Sequence, residues 1–257
     1  MMKHSEVFEQ YRLQERRCQQ IGMTDAHEGK LWRYDIISQG IRFIADHCFS
    51  PEQLSIAVQG QRDRANKSQL SLEWKWYSAD LHSELLQRLL VEFGFVPDVE
   101  EALLAMDIAE INWPQPGLHV RRCETEADLE QVFTVQQAIW QRSMAQRLID
   151  ALKILRETPE LMSYYLVEID GKAVCSGWSS FTPYSDFVGL WAGACLPQYR
   201  SRGCYRALVW ARAQEAIARG RKYLTIDALP SSRPIVERLG FELLSMTRPY
   251  EFDGQTV

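Results

Sequence analysis

Apolar and polar positions alternate between two periods along this chain, and the switches mark its elements. Residues 5–21 predict a mostly polar helix with Val7, Phe8, Tyr11 and Cys18 on one side. Residues 31–48 predict a more amphipathic helix carrying Ile37, Ile41, Ile44 and Cys48 on one stripe, which Ser50-Pro51 ends. Leu54, Ile56 and Val58 alternate with polar residues as a short strand does, and residues 60–68 follow as a charged loop. Leu70, Leu72, Trp74 and Trp76 alternate with Ser71, Glu73, Lys75 and Tyr77, the pattern of a half-buried strand. A helix over 79–93 presents Leu85, Leu89 and Phe93, with Gly94 placed to end it, and Phe95 leads to an apolar strand over 102–108.

The run Asn112-Trp113-Pro114-Gln115-Pro116-Gly117 punctuates the chain and sets an expected border between residues 1–112 and 113–257. Beyond it the pattern predicts a strand over 118–122, a helix over 125–140 capped by Thr125, and a second helix over 144–156. A hairpin follows, with strands over 164–169 and 172–181 joined at Asp170-Gly171. Next come a strand over 187–196, a helix over 203–219, a strand over 223–228, a short helix over 233–239 and strand material over 241–252. The first half contains an echo of the second: strand, helix, Gly94-Phe95, strand parallels strand, helix, Gly240-Phe241, strand. Two unrelated strand–helix–strand units would give the same pattern.

Composition narrows the function classes. The 257 residues suffice for one large or two small cores. A net charge of −5 argues against nucleic acid or an anionic membrane surface as partner. No signal-like segment opens the sequence and no apolar run reaches membrane-spanning length, so a cytoplasmic setting is expected. The six cysteines are scattered singly, which speaks against both a zinc site and a disulfide framework; no metal is expected. His47 beside Cys48 reads as the end of a helix rather than a ligand pair.

One stretch carries chemistry. Gln198-Tyr199-Arg200-Ser201-Arg202-Gly203-Cys204-Tyr205-Arg206 follows an apolar strand and opens a helix. A helix N-terminus offers unpaired N–H groups and partial positive charge, and glycine admits a ligand close to the backbone. Arg200, Arg202 and Arg206 add charge suited to a pyrophosphate. On a helical wheel Arg206 falls with Tyr205, Val209, Trp210, Ala213 and Ile217, while Arg212, Glu215 and Arg219 take the opposite, solvent side. A cation in the first helical turn opposes the macrodipole, which a bound anion would repair. The plainer alternative is a snorkelling surface arginine in a basic loop.

Arg200-x-x-Gly203-x-x between an apolar strand and a long helix resembles motif A of the GNAT superfamily of acyl-CoA-dependent N-acetyltransferases, usually [QR]xxGx[GA]. Val236-Glu237-Arg238-Leu239-Gly240-Phe241 is similar to that family's "YEKLGF" ending, and the element order over 118–252 agrees. The resemblance implies an α/β (α+β) GNAT fold: a central mixed, mostly antiparallel sheet flanked by helices, with a smaller α/β N-terminal domain that is a degenerate GNAT-like half. It implies that Ala194, Cys195 and Leu196 pair with pantetheine, and that Arg200, Ser201, Arg202, Gly203, Cys204, Tyr205 and Arg206 cradle the pyrophosphate. It also implies that a backbone N–H near Cys195 polarises the acyl carbonyl.

The sequence departs from the family at four places. Tyr205 replaces a small residue, and Val236 stands where many members carry a tyrosine acid. Leu229 stands near a common pantetheine-contacting Asn, for which Ser231 or Ser232 could substitute, with a cap on the next helix as the plainer reading. The strand over 187–196 holds no carboxylate; Asp186 at its start and Tyr250 are the candidate proton carriers, each with a plainer reading as a turn residue and a packing aromatic. Cys195 reads as a small core-facing strand residue, with a nucleophile as the alternative. The implied function is transfer of an acetyl group from acetyl-CoA to a primary amine of a small molecule or peptide by direct attack. The alternative is a non-catalytic acyl-CoA-binding or sensing protein. A homodimer is compatible with either.

Overall fold

The computed structural model describes residues 3–16, 23–28, 31–36, 41–45, 49–111 and 113–254. Its elements in order are α1 (His4–Gln14), β1 (Met23–Glu28), β2 (Leu31–Ile36), β3 (Ile41–Ala45), α2 (Pro51–Ser68), β4 (Leu72–Tyr77), α3 (Ser83–Glu92), β5 (Val96–Pro97) and β6 (Glu101–Asp107). There follow β7 (His119–Cys123), α4 (Glu126–Trp140), α5 (Ala145–Glu157), β8 (Met162–Ile169), β9 (Lys172–Ser180), β10 (Phe187–Cys195), α6 (Cys204–Ala218), β11 (Tyr223–Ala228), α7 (Arg233–Glu237) and β12 (Glu242–Phe252). The chain forms two compact units, Met1–Leu104 with Asp227–Val257, and Ala105–Ile226. The division falls inside β6 and inside β11, because the C-terminal segment folds with the N-terminal one. Among the described residues no helix is long and apolar enough to cross a membrane, and no three His, Cys, Asp or Glu side chains gather to hold a metal ion.

In the first unit β1, β2 and β3 pair antiparallel, β3 runs parallel to β4, and β4 is antiparallel to β12, which also carries β5. The alternation in β4 works as read: Leu72, Trp74 and Trp76 enter a core with Leu54, Val58, Leu86, Leu90 and Phe95. The opposite face carries Glu73, Lys75 and Tyr77, where Lys75 Nζ bonds Glu101 (2.8 Å) and Asp227 (3.3 Å). The two glycine–phenylalanine echoes share one geometry. Gly94 and Gly240 have φ of 87° and 100°, and the N–H of Phe95 or Phe241 reaches back five residues to Leu90 O or Val236 O. Each closes its helix with the same left-handed cap and buries the phenylalanine behind it.

Four expectations fail in this unit. Where one helix is expected over 31–48, residues 31–36 and 41–45 are the strands β2 and β3, while Ile37 and Cys48 of the expected stripe lie outside the described residues. Trp32, Tyr34, Ile36, Ile41, Phe43 and Ile44 are β-branched or aromatic, and strand pairing overrides a stripe that a helix could equally present. Ser50-Pro51 starts a helix instead of ending one. Ser50 Oγ accepts from Gln53 N and Gln53 Oε1 from Ser50 N, a capping box with proline at the first helical position. The strand expected over 54–58 and the loop over 60–68 are therefore both α2, with Leu54, Val58, Gln61 and Ala65 buried at helical spacing and Ile56 72 % exposed. Leu54 and Val58 fit both periods; the capping box decides. Ser50→Ala is expected to lower the unfolding free energy by about 1 kcal/mol, read as a shift in the urea midpoint. The helix expected over 5–21 is α1 as far as Gln14; residues 17–21, like His47 and Cys48, lie outside the described residues.

The second unit is an antiparallel meander β7–β8–β9–β10, with β11 parallel to β10. Asp170 and Gly171, both at positive φ, make the tight turn between β8 and β9. Tyr164 and Leu166 pack with α4 and α5, whereas Tyr165 and Val167 pack with Cys204 and Leu208 of α6. The two-residue period therefore puts α4 and α5 on one face of the sheet and α6 on the other.

Candidate functional site

The site begins where strand pairing lapses. β10 pairs with β11 only over Phe187, Val188 and Gly189, and Leu190–Cys195 continue without a β11 partner. On its other edge β10 stays paired with β9, but the register shifts between Trp191 and Ala194, and Ala192 has φ 49°. This is a β-bulge, which bends a strand and re-aims its backbone groups. The distal half of β10 thus offers one edge of N–H and C=O groups to a ligand.

The chain leaves β10 through a single 3₁₀ turn at Pro197–Tyr199 and enters the basic turn. Ser201 (φ 60°) and Gly203 (φ 81°) are both left-handed, and Gly203 is the N-cap of α6. A Cβ at Gly203 would meet nothing closer than Leu118 Cδ1 at 3.9 Å, so the glycine is required by its dihedral angle and leaves open space beside it. No side chain caps α6. Its first intrahelical bond joins Ala207 N to Gly203 O (2.9 Å), so the N–H groups of Cys204, Tyr205 and Arg206 precede any helical acceptor. The helix end therefore presents donors uncommitted to a side-chain cap among the described residues, an arrangement that suits an anion.

Around it the three arginines differ. Arg200 is exposed and its Nε donates to Cys195 O (3.3 Å), tying the turn to the strand end. Arg202 lies over the Tyr199 ring (5.6 Å) and Arg206 over the Trp113 ring (5.3 Å), both with exposed side chains. Arg206 was expected on the apolar arc and Arg212 on the solvent side; the reverse holds. Arg212 is fully buried and Arg206 is exposed. The buried stripe is Cys204, Ala207, Leu208, Val209, Arg212, Ala213 and Ala216, and the wheel missed it because alanine and cysteine weigh little beside Trp210 and Ile217. Glu215 also turns inward, accepting from Ser163 Oγ (2.8 Å) and Tyr165.

The departure at Tyr205 has a structural counterpart. A Cβ on Gly193 would lie 2.8 Å from the Tyr205 ring and 3.2 Å from Arg212 Nη2. The ring thus occupies space that a glycine in the bulge vacates, under β10 rather than toward the anion site. Arg212 lies beside it, donating from Nε to Leu208 O (3.2 Å) and from Nη1 to Trp178 O (3.4 Å), while Nη2 has no hydrogen-bond partner among the described residues. Burial drives its pKa down to about 10, opposed only by Tyr205.

On the other face stands Gln136, which no sequence motif singles out. It is 1 % exposed, with Nε2 donating to Ser176 Oγ (2.8 Å) and Ala192 O (2.8 Å) and Oε1 accepting from Trp140 Nε1 (2.9 Å). The available signal was one amide among Leu129, Val132, Phe133 and Val135, the buried residues of α4.

The remaining candidates separate. Cys195 lies opposite Cys175 in the β9–β10 register and the two form a disulfide, contrary to the reading of six isolated cysteines. Strand pairing brings together residues twenty apart that carry no CxxC signal, and the bond leaves no Cys195 thiol to act as a nucleophile. Cys204 is buried, with its thiol pushed above the usual range by burial. Asp186 stands at the far end of β10 from the basic turn and pairs with Lys222 Nζ (3.1 Å). Tyr250 is 2 % exposed inside the first unit's apolar core. Ser232, in the first unit, occupies the N-cap position of α7 but bonds Leu229 O (3.1 Å) instead of capping it.

No protein-family model matches the sequence, and no curated protein matches it. Solved structures match in shape. A GCN5-related N-acetyltransferase from Kribbella flavida superposes with a TM-score of 0.72 at 15 % identity, over 98 % of this chain and 96 % of that one. A tandem GNAT protein from the clavulanic acid biosynthesis pathway gives 0.64 at 10 % identity over 93 % and 85 %. A GCN5-related N-acetyltransferase from Sphaerobacter thermophilus gives 0.61 at 14 % identity over 88 % and 77 %. The likeness spans nearly the whole chain while the sequences have diverged, so what is held in common is architecture. Element order, the mixed sheet and helices on both of its faces together show that this chain has the fold of the GCN5-related N-acetyltransferases.

Proposed function

We propose that the chain transfers an acetyl group from acetyl-CoA to a primary amine of a small molecule or peptide, with residues 113–257 as the acyl-CoA half and 1–112 as a degenerate GNAT-like half. The observation that carries this reading is the uncapped N-terminus of α6, reached through a left-handed glycine directly after a strand edge without a partner. The donors, charge and open space there fit a pyrophosphate on one side, and the Ala194–Leu196 edge fits an amide-bearing arm on the other. Acetyl-CoA, when bound, supplies a thioester carbon open to attack by a neutral amine. The protein's part is to hold the pyrophosphate on the N–H groups of 203–206 and to lay the arm along β10. Arg202 and Arg206 add screening charge from the surface, and Arg200 keeps the turn docked on Cys195. Proximity and carbonyl polarisation then lower the barrier with no covalent enzyme species.

A second reading, an acyl-CoA-binding protein without turnover, is favoured by the engagement of Asp186 with Lys222 and the burial of Tyr250. Calorimetry with CoA, and thiol release from acetyl-CoA across an amine panel, separate the two. Gly203→Val is expected to weaken CoA binding by roughly tenfold or more, since a β-branched residue resists φ near 80° and crowds the phosphate. Binding without thiol release selects the second reading, and no binding by the wild type dismisses both.

A further inference from the structure

The bulge in β10 poses a question of orientation. In a regular strand the carbonyl of residue 192 would lie in the plane of the sheet and bond a neighbouring strand. Here Ala192, a non-glycine residue at φ 49°, gives its carbonyl to Gln136 of α4, on one face of the sheet. Gln136 is fully committed, to Ser176 Oγ, Ala192 O and Trp140 Nε1, within an otherwise apolar cluster. A buried amide so placed is costly unless every group is satisfied, and this one is.

All peptide bonds of the described residues are trans, so the Gly193 N–H runs antiparallel to the Ala192 carbonyl. With that carbonyl held toward α4, the N–H is directed toward α6. A Cβ at Gly193 would meet Tyr205 and Arg212 of α6, so these two side chains line that side of the strand beside the N–H. The α6 face is the one reached from the basic turn. It also carries Arg212, a buried cation whose charged form Tyr205 favours.

We propose that Gln136 is a positioning residue for acyl transfer. By holding the Ala192 carbonyl on the α4 side it aims the Gly193 N–H at the thioester oxygen on the α6 side. The inference rests on the acyl-CoA reading. Arg212 lies behind the same donor, and its charge favours negative charge gathering on that oxygen.

The test uses the full-length protein and acetyl-CoA labelled with ¹³C at the acetyl carbonyl. Infrared difference spectra of the bound thioester should show the carbonyl band at lower frequency than in solution for the wild type. In Gln136→Leu the band should return toward the free value and kcat fall roughly 10- to 100-fold, while CoA affinity changes no more than about threefold. Gln136→Glu supplies a second readout and serves alone if the leucine variant does not fold. An ionised carboxylate cannot donate to Ala192 O, but a protonated one can. Band shift and turnover should therefore recover in that variant as pH falls through its carboxyl pKa, a dependence absent from the wild type. A variant band that stays at the wild-type position, or no wild-type shift on binding, overturns the inference and leaves the acyl-CoA reading standing. Failure of the wild type to bind acetyl-CoA removes both.

Discussion

Exchanging Arg212 for methionine is expected to raise the unfolding free energy by about 2 kcal/mol at neutral pH, against the usual direction for a fully buried residue. The reason is an uncompensated charge. The guanidinium bonds two backbone carbonyls and leaves Nη2 unsatisfied, and among the described residues only Tyr205 favours its charged form. A pKa lowered by burial from the ordinary guanidinium range to about 10 corresponds to a penalty of roughly 3 kcal/mol for keeping the proton in the fold. A depressed pKa in a base means that this penalty is fully present below about 10 and fades as pH rises beyond it. Methionine fills comparable volume without charge, at the loss of the two carbonyl bonds and the contact with Tyr205. Urea unfolding of both proteins at pH 7 reads the sign. A destabilised methionine variant would mean that the carbonyl bonds outweigh desolvation.

Glu73→Gln should give a stability gain that depends on pH. Glu73 shares a sheet face with Lys75, whose charge is already matched by Glu101 and Asp227. Burial first, and then Glu251, Glu101 and Asp227, lift its carboxyl to about 7, against the lowering by Lys75. A raised carboxyl pKa means that the neutral form is favoured in the fold. The stability it contributes is whole below the ordinary value of 4.5 and is lost as pH rises through about 7. Glutamine stays neutral throughout. The difference between variant and wild type should therefore grow from near zero at pH 4.5 to roughly 3 kcal/mol at pH 8, measured as unfolding midpoints across that range. A constant difference would show that Glu73 titrates as an ordinary surface carboxylate. Lys75 is held in its charged form by the carboxylates around it and does not titrate in this window.

The elements legible from the sequence were those whose signals are local. The Asp170-Gly171 turn, the Thr125 cap with its Asp128 box, the alternation of β4 and the glycine-ended helices at Gly94 and Gly240 each depend on a few consecutive residues, and each is where it was read. α2 is masked although its capping box is equally local, because Leu54, Ile56 and Val58 satisfy the strand period as well. β2 and β3 were lost because their apolar residues fit either period, and the choice between them is made by strand partners distant in sequence.

By itself the sequence determined the local make-up of one turn. The left-handed Gly203, the arginines around it and the helix start without a side-chain cap follow from dihedral freedom, charge and the ends of the helical ladder, all properties of adjacent residues. Tertiary structure alone decided what surrounds it. Only packing buries Arg212 and exposes Arg206, because a helix shows its interior face by what lies against it, and small residues such as Ala207 and Ala216 mark that face weakly. Only strand register joins Cys175 to Cys195 and sets a glycine at 193 over a tyrosine at 205. Only the approach of α4 gives the bulge of β10 an amide to hold its carbonyl. Each is a contact between residues far apart in the chain, and no run of neighbouring residues encodes it.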